Sequence, residues 1–263
     1  MNCLELQIQK SKKRGTKLFC AYVTLGYPNV KFTEQLIPAL EEAGVDILEL
    51  GIPFSDPLAD GPAIQEASYV SLMRKTKIQD AFTVVKKMRL RGVTMPIVFF
   101  SYYNPIFHIG IKKCAAQLKE SGFDGVLCPD LPPDEISSLG GELKKRKLSL
   151  IYLIAPTTVP SRIKLIAERS QGFIYYVARR GVTGVHAKIA DDLFKNVRQI
   201  KRYTRKSVLV GFGVSDEKQI KRILSVSDGV IVGSAIINTI KSTRSVRKTA
   251  NYVRRLVRAV KGG

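Results

Sequence analysis

The residues best placed to do chemistry are two carboxylates separated by a short loop. In residues 48–65, LELGIPFSDPLADGPAIQ, an apolar run ends in Glu49 and breaks into a loop rich in proline and glycine. That loop carries Asp56 and Asp60 before a helix resumes. Read as a strand, Val45, Ile47 and Glu49 share one face by the two-residue period. An acid ending an apolar face is costly unless it is solvated, paired or used in proton transfer. A lone Glu in such a place is usually a satisfied structural group, such as one that caps the loop. Asp60 close by, and anion-type glycine loops downstream, turn the reading towards chemistry.

Three later strand ends carry those glycines. They read Ala178-Arg179-Arg180-Gly181-Val182-Thr183-Gly184, then Gly211-Phe212-Gly213-Val214-Ser215, then Gly233-Ser234-Ala235. Glycine lets the backbone approach an anion closely, and a helical turn starting after Gly233 would point free N–H groups at it. GFGVSD lacks the third glycine of a dinucleotide fingerprint and lies late in the chain.

These residues need a frame, and the hydropathy supplies one. Short apolar runs at 18–24, 46–50, 97–101, 125–128, 148–154, 173–177, 208–210 and 229–232 read as strands. Helical patterns at 32–43, 78–91, 111–121, 135–145, 161–169, 192–203 and 217–224 lie between them. A leading helix at 4–13 and a closing one at 245–260 complete the series, and Pro38 should kink the first of the intervening helices. Near-continuous hydrophobicity, as in SVLVGFG, marks strands covered on both faces. Eight such strands with helices between them predict a single (β/α)8 TIM barrel over residues 1–263, with an extra N-terminal helix and a short helix after strand 8 for phosphate. A doubly wound open sheet is the structural alternative. Loops after strands 7 and 8 of such barrels commonly bind phosphate.

Composition narrows the function classes. No apolar stretch reaches the roughly 20 residues that cross a bilayer, and the first residues lack the pattern of a signal peptide. Cys3, Cys20, Cys114 and Cys128 form no CxxC pair and are accompanied only by His108 and His186, so neither zinc nor another metal is expected. Free thiols suit a cytoplasmic protein. The net charge of +21 raises nucleic acid as a partner. Much of it sits on amphipathic helices, as at Arg247, Lys248, Arg254, Arg255 and Arg258, and at Lys86, Lys87 and Arg89. No aromatic RNA-binding motif accompanies it. A solvated basic surface that steers a phosphorylated anion is the expectation.

DILELGIPFSDPLADGP, followed in order by RRGVTG, GFGVS and GSA, closely resembles the tryptophan synthase alpha chain family. AYVTLGYP, YYNP and PDLPPDE fit the same family, and the resemblance runs over residues 17–235. It implies a reverse aldol cleavage of indole-3-glycerol phosphate into indole and glyceraldehyde 3-phosphate. By position, the resemblance makes Glu49 the general acid–base and Asp60 the partner of the indole N1–H. Burial should raise the Glu49 pKa, while Asp60 ionises more easily. The resemblance further implies an indole slot lined by Tyr22, Phe100, Leu127, Leu153, Tyr175 and Phe212. Gly184, Gly213, Gly233 and Ser234 would hold the phosphate, and Thr183 would close over Asp60.

The resemblance also implies a beta-chain partner carrying pyridoxal phosphate, with none in this chain, in a two-alpha, two-beta assembly. That partner would meet loops 51–60, 102–107 and 130–133. Departures from the family pattern are Ala178 and Arg180 in the sixth-strand loop, Ala63 for a usual Thr, and Leu-Met-Arg-Lys-Thr-Lys after Ser71, where a glycine normally ends the helix. They bear on turnover rate more than on reaction type. The alternatives are a non-catalytic activator of the beta chain, a nucleic-acid-binding barrel, and a different phosphosugar isomerase.

Overall fold

The computed structural model describes residues 1–135, 137–178, 186–211 and 217–262, with backbone alone for Ser137 and 186–192. The chain begins with α1 (Cys3–Arg14), β1 (Leu18–Thr24), α2 (Val30–Glu42) and β2 (Ile47–Gly51). Two helices follow, α3 (Pro62–Met73) and α4 (Ile78–Leu90), before β3 (Ile97–Phe100). Then come α5 (Tyr103–Ile109), α6 (Ile111–Ser121), β4 (Gly125–Leu127), α7 (Ser137–Lys145) and β5 (Ser149–Ile154). The second half runs through α8 (Pro160–Arg169), β6 (Phe173–Val177), α9 (His186–Tyr203), β7 (Ser207–Gly211) and α10 (Glu217–Leu224). It ends with β8 (Gly229–Val232), α11 (Ser234–Thr243) and α12 (Val246–Lys261).

The eight strands form a closed parallel barrel in sequence order, with β1 paired to both β2 and β8. Closure disposes of the open-sheet alternative. All seven residues of β1 are buried, as their unbroken hydrophobicity foretells. Alternate residues then divide into two cores. Leu18, Cys20 and Tyr22 join Ile47, Val98, Leu127, Ile151 and Leu209 inside the barrel. Phe19, Ala21, Val23, Leu48 and Leu50 pack outward under the helices.

Two expectations change here. Val45 precedes β2 and packs in the outer core, so it does not share a face with Glu49; the strand period begins only at Ile47. Residues 103–109, expected to be loop, form α5. The helix following the Asp60 loop is α3, whose buried stripe is the small set Ala67, Ser68 and Ser71. Pro38 does lie inside α2.

The N-terminal end of the barrel is closed by α1. Asn2 caps that helix in a reciprocal box with Glu5, and Leu4 and Ile8 from its inner face join the interior core. A Cβ on Gly125 or Gly172 would lie 3.4 or 3.1 Å from the Leu4 side chain, so the plug is tightly seated.

Three aspartates at this end repeat one device. Each stands just before an even-numbered strand and accepts a backbone N–H from the first or second residue of the strand before it. Asp46 takes Phe19 N–H at 2.8 Å, Asp124 takes Ile97 N–H at 3.0 Å and Asp228 takes Val208 N–H at 2.8 Å. Each also holds a cation, respectively Lys261 at 2.6 Å, Arg89 at 2.8 Å and Lys201 at 2.8 Å. Before β6 a neutral Gln171 serves the same purpose for Leu150 N–H at 3.3 Å. Arg89, read as part of a solvated basic face, is instead structural. It also donates to the carbonyls of Gly122, Val93 and Met95.

Candidate active site

The opposite, C-terminal end of the barrel gathers the predicted residues. Tyr22 on β1 pairs in register with Glu49 on β2, which pairs with Val98 on β3. Both Tyr22 and Glu49 therefore point inward at neighbouring heights. Glu49 has no exposed surface, and neither of its carboxyl oxygens has a hydrogen-bond partner of good geometry. Burial drives its pKa from 4.5 up to about 8, opposed only by the weak sulfur donor of Cys20 on β1. At neutral pH Glu49 carries a proton. Glu49 and Asp46 share a strand neighbourhood but not their surroundings: Asp46 meets a cation and a backbone N–H, and Glu49 meets apolar walls.

Asp60 sits on the loop before α3. Its backbone is tied down by a bond from its own N–H to Pro57 O at 3.0 Å and by Gln65 Nε2 donating to its carbonyl at 3.0 Å. Its carboxylate accepts from the Tyr102 hydroxyl at 3.1 Å. Burial raises its pKa to about 6, and the Tyr102 bond restrains that rise. The two acids thus titrate on either side of neutrality, and a proton donor and an anion coexist near pH 7. Asp60 also acts electrostatically on the hydroxyls of Tyr22 and Tyr175, whose pKa values burial already raises. The carboxylate therefore faces the same mouth.

The structure brings Tyr22, Phe100, Leu127, Leu153 and Tyr175 together around this mouth. Tyr22 meets Phe100 edge-on, with ring centroids 5.3 Å apart and planes at 82°. Ile64 of α3, which the sequence pattern does not single out, packs against the same cluster. Two strand-end glycines are needed for a reason that appears only in the fold. A Cβ on Gly51 would stand 2.1 Å from the Tyr22 hydroxyl oxygen, and one on Gly211 would stand 2.3 Å from that of Tyr175. Each tyrosine crosses the end of a neighbouring strand where no side chain fits. The readable signal for Gly51 was its place two residues after Glu49, on the same inward face.

Gly233 follows β8 as the N-cap of α11, and Ser234 opens that helix, ten residues long rather than a single turn. The first N–H groups of a helix have no partner within it, so this terminus presents donors beside Tyr22, whose Cβ would lie 3.3 Å from a Cβ on Gly233. Thr183, Gly184, Phe212 and Gly213, like Arg179 and Arg180, lie outside the described residues. Ala63 is partly buried and packs against the outer core. In the segment after Ser71, which lacks the helix-ending glycine usual in the family pattern, Lys75 takes a positive φ of 60°.

Residues 8–262 match the family model described as tryptophan synthase alpha chain. This chain belongs to the tryptophan synthase alpha chain family. The tryptophan synthase alpha chain of Dehalococcoides mccartyi is 42% identical over 91% of this chain and 94% of its own length. That of a Thermoanaerobacter species is 40% identical over 99% of both. Among solved structures, tryptophan synthase subunit alpha from Legionella pneumophila superposes with a TM-score of 0.91 at 31% identity, over 99% of this chain and 98% of that one. A Mycobacterium tuberculosis tryptophan synthase structure gives 0.90 at 30% identity, over 100% of this chain and 99% of that one. The chain is thus a lyase subunit of tryptophan biosynthesis, cleaving indole-3-glycerol phosphate to indole and glyceraldehyde 3-phosphate.

Proposed function

We propose that Glu49 and Asp60 divide the work of this cleavage between them. The carbon–carbon bond breaks only once indole C3 has gained a proton and become a competent leaving carbon. Glu49, protonated at neutrality, donates that proton to C3. Asp60, ionised, accepts the hydrogen bond of N1–H and stabilises the positive charge that spreads over the ring. The Glu49 carboxylate then takes the proton of the glycerol hydroxyl as its C–O bond becomes a carbonyl. The electrons of the breaking bond restore the aromatic indole, and the acid ends the cycle protonated as it began. The observation that carries this assignment is a wholly buried carboxyl group with both oxygens unpartnered, facing the same mouth as a second, ionisable acid.

In the same reading Tyr22, Phe100, Leu127, Leu153, Tyr175 and Phe212 clasp the flat ring. Gly184, Gly213, Gly233 and Ser234 hold the phosphate, with the α11 N-terminus supplying backbone donors. Thr183 closes over Asp60. A pyridoxal-phosphate-bearing beta chain would dock on the catalytic face, where Leu58 is 92% exposed and Phe107 64% exposed on two of the expected contact loops. Both are costly to leave in water. Four free cysteines support a cytoplasmic site of action, and among the described residues no helix is long and apolar enough to cross a membrane.

The test is release of indole from indole-3-glycerol phosphate by the purified chain, with and without a beta chain. Asp60→Asn should lower kcat by roughly 10²-fold or more, since an amide still fits but no longer offers an anion. Full turnover by that variant would remove Asp60 from the mechanism. Turnover that is absent with and without the beta chain, while the beta reaction is stimulated, would favour the activator role.

A further inference from the structure

Tyr102 belongs to none of the groups that the reaction obviously requires, yet it is buried beside one of them. It is 4% exposed and serves as the N-cap residue of α5. Its hydroxyl makes two bonds to one short stretch of the Asp60 loop. It accepts Ala59 N–H at 2.9 Å and donates to Asp60 Oδ2 at 3.1 Å. Its ring stacks on Phe54 of the same loop, with centroids 5.1 Å apart and planes at 26°. The loop is thereby gripped by an oxygen at one end and a ring face nearer the other.

The gripping residue is itself anchored. The next N–H along the chain, that of Tyr103, donates to both oxygens of Asp130 at 2.9 and 3.1 Å. Asp130 also receives the Cys128 thiol at 3.2 Å, and Cys128 directly follows β4. The start of α5 is therefore pinned to the end of a barrel strand, and Asp60 is pinned to the start of α5. A rigid strand positions a loop acid through two intermediate contacts.

We propose that Tyr102 is a positioning residue for the lyase reaction, its hydroxyl holding the Asp60 carboxylate over the mouth in the orientation that meets the indole N–H. This rests on the assignment of Asp60 made above and adds to it the group that aims the acid. A carboxylate on an untethered loop would sample many orientations, and a small misplacement of a reacting group is enough to lose much of the rate. A hydroxyl that donates to the anion also favours ionisation, so the same bond keeps Asp60 charged at lower pH.

Tyr102→Phe tests this cleanly, because the ring and its stack on Phe54 remain and only one oxygen is lost. Indole release is measured from pH 5 to 9 by the full chain, with Asp60→Asn measured alongside. Among the described residues, the groups besides Tyr102 that face Asp60 are the hydroxyls of Tyr22 from β1 and Tyr175 from β6, and Glu49 from β2 shares the mouth; Asp130 stands behind Tyr102. All persist in the variant. The expected result is a kcat lower by roughly tenfold or more with KM within about twofold, and an acid limb of kcat moved to higher pH. A merely structural role would leave that limb where it was. An unchanged kcat, or a lowered kcat with the limb unmoved, overturns the proposal while an inactive Asp60→Asn keeps the Asp60 assignment. If Asp60→Asn turns over normally, the assignment itself falls and the proposal goes with it.

Discussion

At the closed end of the barrel Asp46, Asp124 and Asp228 each hold a cation and a backbone N–H; at the open end Glu49 holds neither. The four residues lie within a few positions of strand termini and carry the same functional group. What separates them is the company each keeps. The lower acids remove orphan donors from the strand starts and so stabilise the barrel. Glu49 leaves its own desolvation uncompensated, which weakens the fold and keeps the proton available. Pairing an acid and leaving it bare are therefore distinct uses of burial, and the barrel keeps them at opposite ends.

Asp124 shows that the pairing is not mainly a matter of charge. Burial raises its pKa even though Arg89 stands 2.8 Å away. Desolvation outweighs the Coulomb attraction, as is common for buried pairs. Its value lies in what would lose its partner without it, namely the Ile97 N–H and the Nη2 donor of Arg89.

The sharpest way to break this contrast is Glu49→Gln. The amide cannot give or take the proton, so kcat should fall by about 10²- to 10⁴-fold in an indole-release assay. Stability should move the other way. A folded pKa raised from 4.5 to about 8 stabilises the fold fully below the lower value. That stability is lost as pH climbs between them, because only the unfolded chain then gives up the proton. At pH 7 the loss is on the order of 3 kcal/mol. Calorimetry should therefore find Glu49→Gln more stable than the parent at pH 7 and little different near pH 4. A variant that is inactive and also less stable at pH 7 would mean that Glu49 is a structural acid after all.

Asp124→Ala is the mirror experiment. Removing one partner of a buried pair should destabilise the chain by about 3 kcal/mol in denaturant unfolding. Activity of the remaining folded fraction should be unchanged; a large loss of kcat would mean that the two ends are coupled. Between these extremes lies the pH profile of the intact chain. The proposed division of labour uses Asp60 ionised and Glu49 protonated, so on that reading kcat/KM should fall below about pH 6 and again above about pH 8. A plateau through pH 9 would contradict the Glu49 assignment. The smallest expected effect belongs to Lys75, which adopts φ 60°. Lys75→Gly should stabilise by about 1 kcal/mol, read as a higher unfolding midpoint.

How much of this was readable in advance depended on which interactions a residue makes. The strands were legible because both faces are buried, so an unbroken apolar run betrays them. Glu49 was legible because it interrupts such a run. α5 was not, since it is short, contains Pro105 and has one fully buried apolar residue, Ile106. α3 gave no clear apolar period because it buries Ala67, Ser68 and Ser71. Val45 was misplaced because alternation says nothing about where a strand begins. The role of Tyr102, and the tyrosines that cross Gly51 and Gly211, were hidden for another reason. Their partners are 42 residues away for Tyr102 and Asp60, and on neighbouring strands for the glycines. Only the pairing of neighbouring strands and the folding of their loops over the mouth create those contacts.

The helix α1 has a consequence for traffic. With Leu4 and Ile8 stoppering the base, the barrel is a cup and not a pipe, and a sugar phosphate arriving, an aldehyde departing and a freed aromatic ring must all cross one rim. A neighbour seated on that rim would stand in the ring's way out, and so could receive it before bulk water does.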